Sequence, residues 1–229
     1  KNVPVEFVGH PLLDEIQDKY FTEEYRKNHR SKYGIQPTDR VLGLMPGSRR
    51  IELREHLPMQ LEVAKKIYNQ YPNTKILIMV APTFAKEKVQ EIIPDWFDVP
   101  FILLKDDPFE MIHLSDFVLV ASGTATLQVG LLHKPMVIMY KTKMLTYLIA
   151  KVVVRGVKFV GLPNLILKKE IVPECLQASV ETLFLRMKRY FDEPAHASYV
   201  QQELSQMQSQ LGEKGATERV AKRLEEFLR

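Results

Sequence analysis

The segments "RVLGLM", "KILIMV", "PFILLK", "FVLVAS" and "PMVIMY" are apolar almost residue by residue, and no other feature constrains the fold as strongly. A strand buried on one face alternates apolar and polar side chains. A strand that is apolar throughout needs cover on both faces, as in a parallel sheet sandwiched between helices. Helix-period segments lie between these runs. Over 51–71, Leu53, Leu57, Leu61, Ala64 and Tyr68 fall on one helical face. Further helices are expected over 85–93, in "DPFEMIHLSD", in "ATLQVGLLH" and, strongly charged, around 23–33. The alternation predicts an α/β fold, a doubly wound and mostly parallel sheet flanked by helices. "VPVEFVG" (Val3 to Gly9) reads as an additional strand. After Tyr140 the pattern changes: "GLPNLILKKEIVPE" is rich in turn formers, and the chain from Val180 to Arg229 reads as a polar, helical C-terminal tail. A glycine-containing break in "LGEKG" precedes its last helix.

At 229 residues the chain accommodates one large domain or two small ones. A hydrophobic content of 45% with 26% charged residues excludes a disordered composition. The 32 Lys and Arg exceed the 28 Asp and Glu only slightly and are spread along the chain, which favours anionic partners weakly and predicts no nucleic-acid binding. One cysteine, Cys175, excludes an internal disulfide and a cysteine-based zinc site and fits a reducing, cytoplasmic setting. No apolar run approaches the ~18 residues of a spanning helix. The opening "KNVPVEFVGHP", without an initiator Met or a leader, reads as a piece of something longer. The expected organisation is an entering segment over 1–10, an α/β domain over 11–178, and C-terminal helices over 179–229 packing back on that domain or on a partner.

Two loops sit where an open α/β sheet binds ligands, beyond the carboxyl ends of strands, where helix N-termini direct unpaired N–H groups into a crevice. In "MPGSRR", Gly47 permits close backbone approach, Ser48 donates or caps, and Arg49 adds a planar, fixed charge suited to phosphate. In "ASGTAT", Ser122, Gly123 and Thr124 lead directly into a helix. Either loop alone is more often a turn with a cap. Neither matches a Walker A loop or a G-x-G-x-x-G fingerprint. The pair, in one α/β domain and with an arginine in the first, raises the phosphate-binding reading.

The stretches "FVGHPLLDE", "LGLMPGSRRIELREHLPMQLEVA", "ASGTATLQVGLLHKPMVIMYKTKMLTYLIAK" and "VGLPNLILKKEIVPECLQ" together resemble the C-terminal half of the lipid-A-disaccharide synthase family, glycosyltransferases of the two-domain B-type fold. The resemblance covers nearly the whole chain. It implies transfer of 2,3-diacylglucosamine from its UDP donor to 2,3-diacylglucosamine 1-phosphate, with inversion, no bound metal and no cofactor. It makes 11–178 the Rossmann-like donor-binding domain, and it assigns the lipid acceptor and the general base to an N-terminal domain, so no catalytic base is nominated. Carried over, the P-G-S-R loop falls on Pro46, Gly47, Ser48 and Arg49, with the guanidinium at the diphosphate, and the S-G-T-A loop falls on Ser122, Gly123, Thr124 and Ala125. Asn164 in "LPN" and Glu174 with Gln177 in "PECLQ" match further positions near the donor. One residue departs from the pattern: where the family usually has a Glu that accepts from the ribose hydroxyls, this chain has Gln128. The resemblance also implies a homodimer formed through C-terminal regions. Two other readings stay open, another UDP-sugar enzyme of this fold such as a MurG-like transferase or an epimerase, and a nucleotide-binding or assembly module without catalysis.

His10, in "VGHP", suits a structural turn better than catalysis. His56, His113, His133 and His196 lie on or beside helices without ligand spacing, so no metal site is expected. Cys175 reads as a small buried hydrophobe, and Trp96 as packing a loop rather than stacking a base. Over Lys141 to Val160, an apolar face of Met144, Leu145, Leu148, Ile149, Val152 and Val153 is flanked by Lys141, Lys143, Lys151 and Arg155. It reads equally as a core helix with solvated lysines or as an interfacial helix touching anionic lipid. The lipid substrates implied by the resemblance favour peripheral contact with the inner face of the cytoplasmic membrane.

Overall fold

The computed structural model describes residues 5–105, 107–141 and 158–228. Its centre is a sheet of six strands: β1 (Arg40–Met45), β2 (Thr74–Val80), β3 (Phe101–Lys105), β4 (Phe117–Ala121), β5 (Met136–Tyr140) and β6 (Glu174–Leu176). They are ordered β3-β2-β1-β4-β5-β6, and every pairing is parallel. The central strands are buried along nearly their whole length, as their uninterrupted apolar runs require.

From β1 the chain winds outward through β2 to β3, then restarts beside β1 with β4 and winds the other way. The order therefore reverses between β1 and β4, which opens a crevice at their carboxyl ends. The long helix α3 (Arg50–Gln70) packs on β1, β2 and β4 beside α8 (Val180–Asp192). On the other side, α5 (Pro108–Leu114) packs on β1 and β2, and α6 (Ala125–Leu131) on β4 and β5. Close approach at α5 needs Gly43: a Cβ there would lie 2.5 Å from Ser115 Oγ and 2.8 Å from Met111 Sδ. Short helices α1 (Leu12–Glu15), α2 (Glu23–Lys32) and α4 (Lys86–Gln90) complete the N-terminal part. They are followed in the C-terminal part by α7 (Leu162–Leu167), α9 (Pro194–Ser205), α10 (Met207–Leu211) and α11 (Ala216–Phe227). Helices α9 and α10 both touch α6, so the tail helices close over the sheet's helical layer.

Three local expectations fail. Residues 5–10 form no strand: the Val8 carbonyl accepts from Arg219 Nε at 2.9 Å and His10 N–H donates to Leu211 O, so α11 and its neighbours take the hydrogen bonds a strand would need. The helix expected over 85–93 ends at Gln90 and continues as tight turns, with Ile92 and Ile93 N–H reaching back three residues ahead of Pro94. The turn-rich stretch after Gly161 contains α7 and β6, which its Gly and Pro content hid. No described helix is long and apolar enough to cross a membrane. Most of the Lys141–Val160 segment, residues 142–157, lies outside the described residues.

Candidate functional site

A cleft of about 500 Å³ opens at the β1/β4 crevice. That is within the size range of small-molecule sites. Gly47, Ser48 and Arg49 form one wall, and Ser122, Gly123, Thr124, Ala125 and Gln128 the other. The loop after β2, with Ala81 and Pro82, and Pro108 at the start of α5 close the rim. Eight of the nominated residues are thus brought together by a fold in which the two loops are 75 positions apart at Gly47 and Ser122.

The first loop is tied from below and from the side. His56, buried on α3, donates from Nδ1 to the Pro46 carbonyl at 2.9 Å and accepts the Lys141 N–H at Nε2, which makes the ring the Nδ1–H tautomer. Gln60, also on α3 and fully buried, donates to the carbonyls of Met45 and Leu119, both at 3.1 Å, bridging β1 and β4 under the cleft floor. Thr83 donates to Ser48 O and joins the loop to the rim after β2.

Glu52, one turn into α3, was invisible to the sequence reading and governs this loop. Its Oε2 accepts from the N–H groups of Ser48 and Arg49 at 2.9 and 3.2 Å, and its Oε1 pairs with the Arg49 guanidinium at 2.8 Å. Glu at the third helical position is a known capping signal, but here the residue at the cap is an arginine, so the usual Ser/Thr-x-x-Glu pattern is absent. Gly47 adopts φ +115°, and a Cβ there would meet Glu52 Oε2 at 2.4 Å. Only glycine lets the carboxylate fold under the loop. The Arg49 side chain remains 79% exposed, so most of its guanidinium fork stays open to the cleft.

The second loop is arranged differently. Ser122 N–H is spent on Met139 O, and the Thr126 hydroxyl and N–H both donate to Gly123 O. The N–H groups of Gly123, Thr124 and Ala125 have no partner among the described residues and lie in the cleft wall. No side chain caps α6. Of the two loops, this one offers free backbone donors, and the first offers the exposed remainder of a guanidinium already paired with Glu52.

Asn164 and Glu174 are placed away from the cleft lining. Asn164 is fully buried and its amide is saturated: Nδ2 donates to Val172 O and to Glu174 Oε1, both at 2.8 Å, while Oδ1 accepts from Ile171 and Val172 N–H. The second oxygen of Glu174 accepts from Val160 N–H at 2.7 Å. Together they brace the approach to α7 against β6. Gln177, just past β6, stands at φ +53° with its N–H on Tyr140 O. His10 sits in a turn, its Nδ1 accepting from Leu12 N–H. The carbonyl of Trp96 accepts from Lys65, and its ring meets Phe97 edge-on. Cys175 is buried, which pushes its thiol pKa up.

Comparison with known proteins bears on this arrangement. A solved UDP-GlcNAc 2-epimerase from Neisseria meningitidis, bound to UDP-GlcNAc, shares the fold at a TM-score of 0.62 and 16% identity, over 96% of this chain and 54% of that one. The glycosyltransferase WaaG, involved in lipopolysaccharide biosynthesis, superposes at a TM-score of 0.58 and 14% identity, over 85% of this chain and 47% of that one. In sequence, the lipid-A-disaccharide synthase of Geobacter sulfurreducens is 33% identical over 222 residues, 96% of this chain and 56% of that protein. The chain thus spans little more than half the length of that relative. A family model described as Lipid-A-disaccharide synthetase matches residues 1–227, and the chain belongs to that family.

Proposed function

We propose that the cleft holds the UDP part of a UDP-sugar donor and that this chain is the donor-binding portion of a glycosyltransferase. The observation that carries the reading is the convergence of two unlike loops on one crevice: the exposed Arg49 lines the same cleft as Gly123, Thr124 and Ala125, whose N–H groups have no partner among the described residues. A diphosphate carries charge along two phosphoryl groups, and a cation opposed to fixed N–H dipoles suits it. The bound UDP-GlcNAc of the Neisseria protein of like fold supports the same choice of ligand.

In the reaction we assign, the donor is UDP-2,3-diacylglucosamine and the acceptor 2,3-diacylglucosamine 1-phosphate. The bond from the sugar's anomeric carbon to the UDP oxygen breaks, UDP leaves with the electron pair, and the acceptor's 6-hydroxyl forms the β-1,6 link. Arg49 and the Gly123–Ala125 donors would offset charge gathering on the departing diphosphate. The acceptor and the base that takes the hydroxyl proton belong to a further domain. Gln128, on the cleft wall, would receive the ribose hydroxyls through its amide oxygen, at a cost of roughly 1 kcal/mol against a carboxylate. Asn164 and Glu174 act as braces rather than donor contacts.

UDP titration by calorimetry tests this. Arg49→Ala should weaken binding by roughly 1.5–3 kcal/mol, as for a charged hydrogen bond, and Gln128→Glu should tighten it. Unchanged affinity in the first variant removes the phosphate assignment, and unchanged affinity in the second removes the ribose assignment. Peripheral contact of Lys141–Val160 with the cytoplasmic membrane is part of the same proposal. Flotation with anionic liposomes should fall when Lys143, Lys151 and Arg155 are replaced, and absence of binding at every salt concentration would end it.

A further inference from the structure

At the opposite, N-terminal edge of the sheet lies a second cavity, of about 480 Å³, walled by Arg26 and Arg30 of α2, Arg40 at the start of β1, and Lys134 in the turn before β5. Lys134 is only 7% exposed, yet its ammonium has no hydrogen bond or ion pair with any described residue. The buried Nε of Arg26 is also unpartnered. The carboxylate nearest to hand is already taken: Asp116 receives Arg26, Arg30 and the Val41 N–H. Asp39, the other acid of the wall, accepts from Gln36 N–H and faces Lys75. The four cations of the wall meet two carboxylates there, Asp39 and Asp116, and a third, Glu23, 3.9 Å from Arg26 at its margin, which leaves a surplus of about one positive charge when Lys134 is protonated. A nearly buried ammonium whose nearest carboxylate already serves two arginines is costly to keep charged. Arg30 is spent on Leu114 O, Asp39 O and Asp116, and the ammonium with the remaining donors of Arg26 and Arg40 matches a tetrahedral oxyanion.

We infer that this cavity is a binding site for a phosphate-type dianion, separate from the donor cleft. Lys134 lies at the centre of the inference. Burial and the charges of Arg26 and Arg30 bring its pKa down to about 7, while Asp116 and Glu23 oppose that shift. His113 and His133 feel the Lys134 charge in turn. The tail helix α9 contributes no charge to the wall, only Ser198 and Gln201 beside Pro194 and Ala197. An arriving dianion supplies the missing counter-charge and draws a proton onto Lys134.

Sulfate shares the shape and charge of phosphate but does not titrate near neutrality, so it is the probe. Calorimetry at pH 7, in two buffers of different ionisation enthalpy, should give saturable sulfate binding with uptake of roughly half a proton. Inorganic phosphate should compete for the same site. Lys134→Met should weaken binding at least tenfold, whereas Arg49→Ala in the donor cleft should leave it intact. Lys134→Arg, which cannot lose its charge, should bind sulfate without proton uptake, and it serves alone if the Met variant fails to fold. Equal affinity in Lys134→Met, loss in Arg49→Ala, or proton uptake persisting in Lys134→Arg would each overturn the site.

Discussion

The Glu52 carboxylate accepts from Ser48 N–H, Arg49 N–H and the Arg49 guanidinium at once, so three donors available to a diphosphate are already engaged. Two consequences are separable. As a tether, Glu52 holds Arg49 against the cleft and saves the ligand the entropy of ordering a long side chain. As an internal anion, it competes with the ligand for the same N–H groups. The exposed remainder of Arg49 and the free donors of the second loop favour the tether, since a diphosphate can bind there without evicting Glu52. Glu52→Gln should then weaken UDP binding by less than Arg49→Ala, and adding it to Arg49→Ala should cost nothing further. A double-mutant cycle measures this coupling, and tighter UDP binding by Glu52→Gln would make the residue a competitor. The two loops were legible in the sequence because Gly, Ser and Arg at strand ends are distinctive. Glu52 was not, because its cap partner is an arginine. Nor does residue type separate an Asn that greets a ligand from one, like Asn164, whose four hydrogen bonds hold a turn.

At the scale of elements, the junction of β1 and α3 rests on Gly47. Its φ of +115° is a conformation that other residues adopt only under strain, and its missing Cβ makes room for Glu52. Gly47→Ala should cost about 1–3 kcal/mol in urea unfolding. Combining it with Glu52→Ala should relieve the clash but not the dihedral strain, recovering part of the loss, and an unaltered midpoint in the single variant would show that the loop relaxes freely. The same contrast between local and tertiary causes explains what the sequence revealed of the fold. Long uninterrupted apolar strands and the 21-residue α3 declare themselves locally, since their pattern repeats over many residues. Residues 5–9 carry a strand-like pattern too, but a strand exists only beside another strand, and here Arg219 and Arg223 of α11 claim Val8 O and Glu6. The three-residue β6 and six-residue α7 are too short for periodicity to register, and they form because β5 and the Asn164 brace receive them.

For the molecule as a whole, the buried basic groups make stability depend on pH in one direction. His113, in the last turn of α5, is buried with Nδ1 donating to Tyr20 O at 2.8 Å and Nε2 without a partner. Burial depresses its pKa from 6.5 to about 4, only partly opposed by the bond to Tyr20. On acidification the unfolded chain therefore takes up this proton first, and the folded state loses stability from about pH 6.5 down to about pH 4, with no further change from this group below. The slope approaches about 1.4 kcal/mol per pH unit. Lys134 acts in the same sense in a higher window: its folded pKa of about 7 lies below the ordinary 10.5, so stability rises as pH climbs between those values. The two contributions do not overlap, so they can be told apart. His113→Gln should flatten the acid limb of a stability profile measured by urea unfolding between pH 4 and 6.5 and leave the limb above pH 7 unchanged. Lys134→Met should do the reverse and stabilise the protein at neutral pH. If His113→Gln leaves the acid limb as steep as before, His133 and His196, whose pKa values burial also lowers from 6.5, carry it, and the His113 imidazole is accommodated in its charged form.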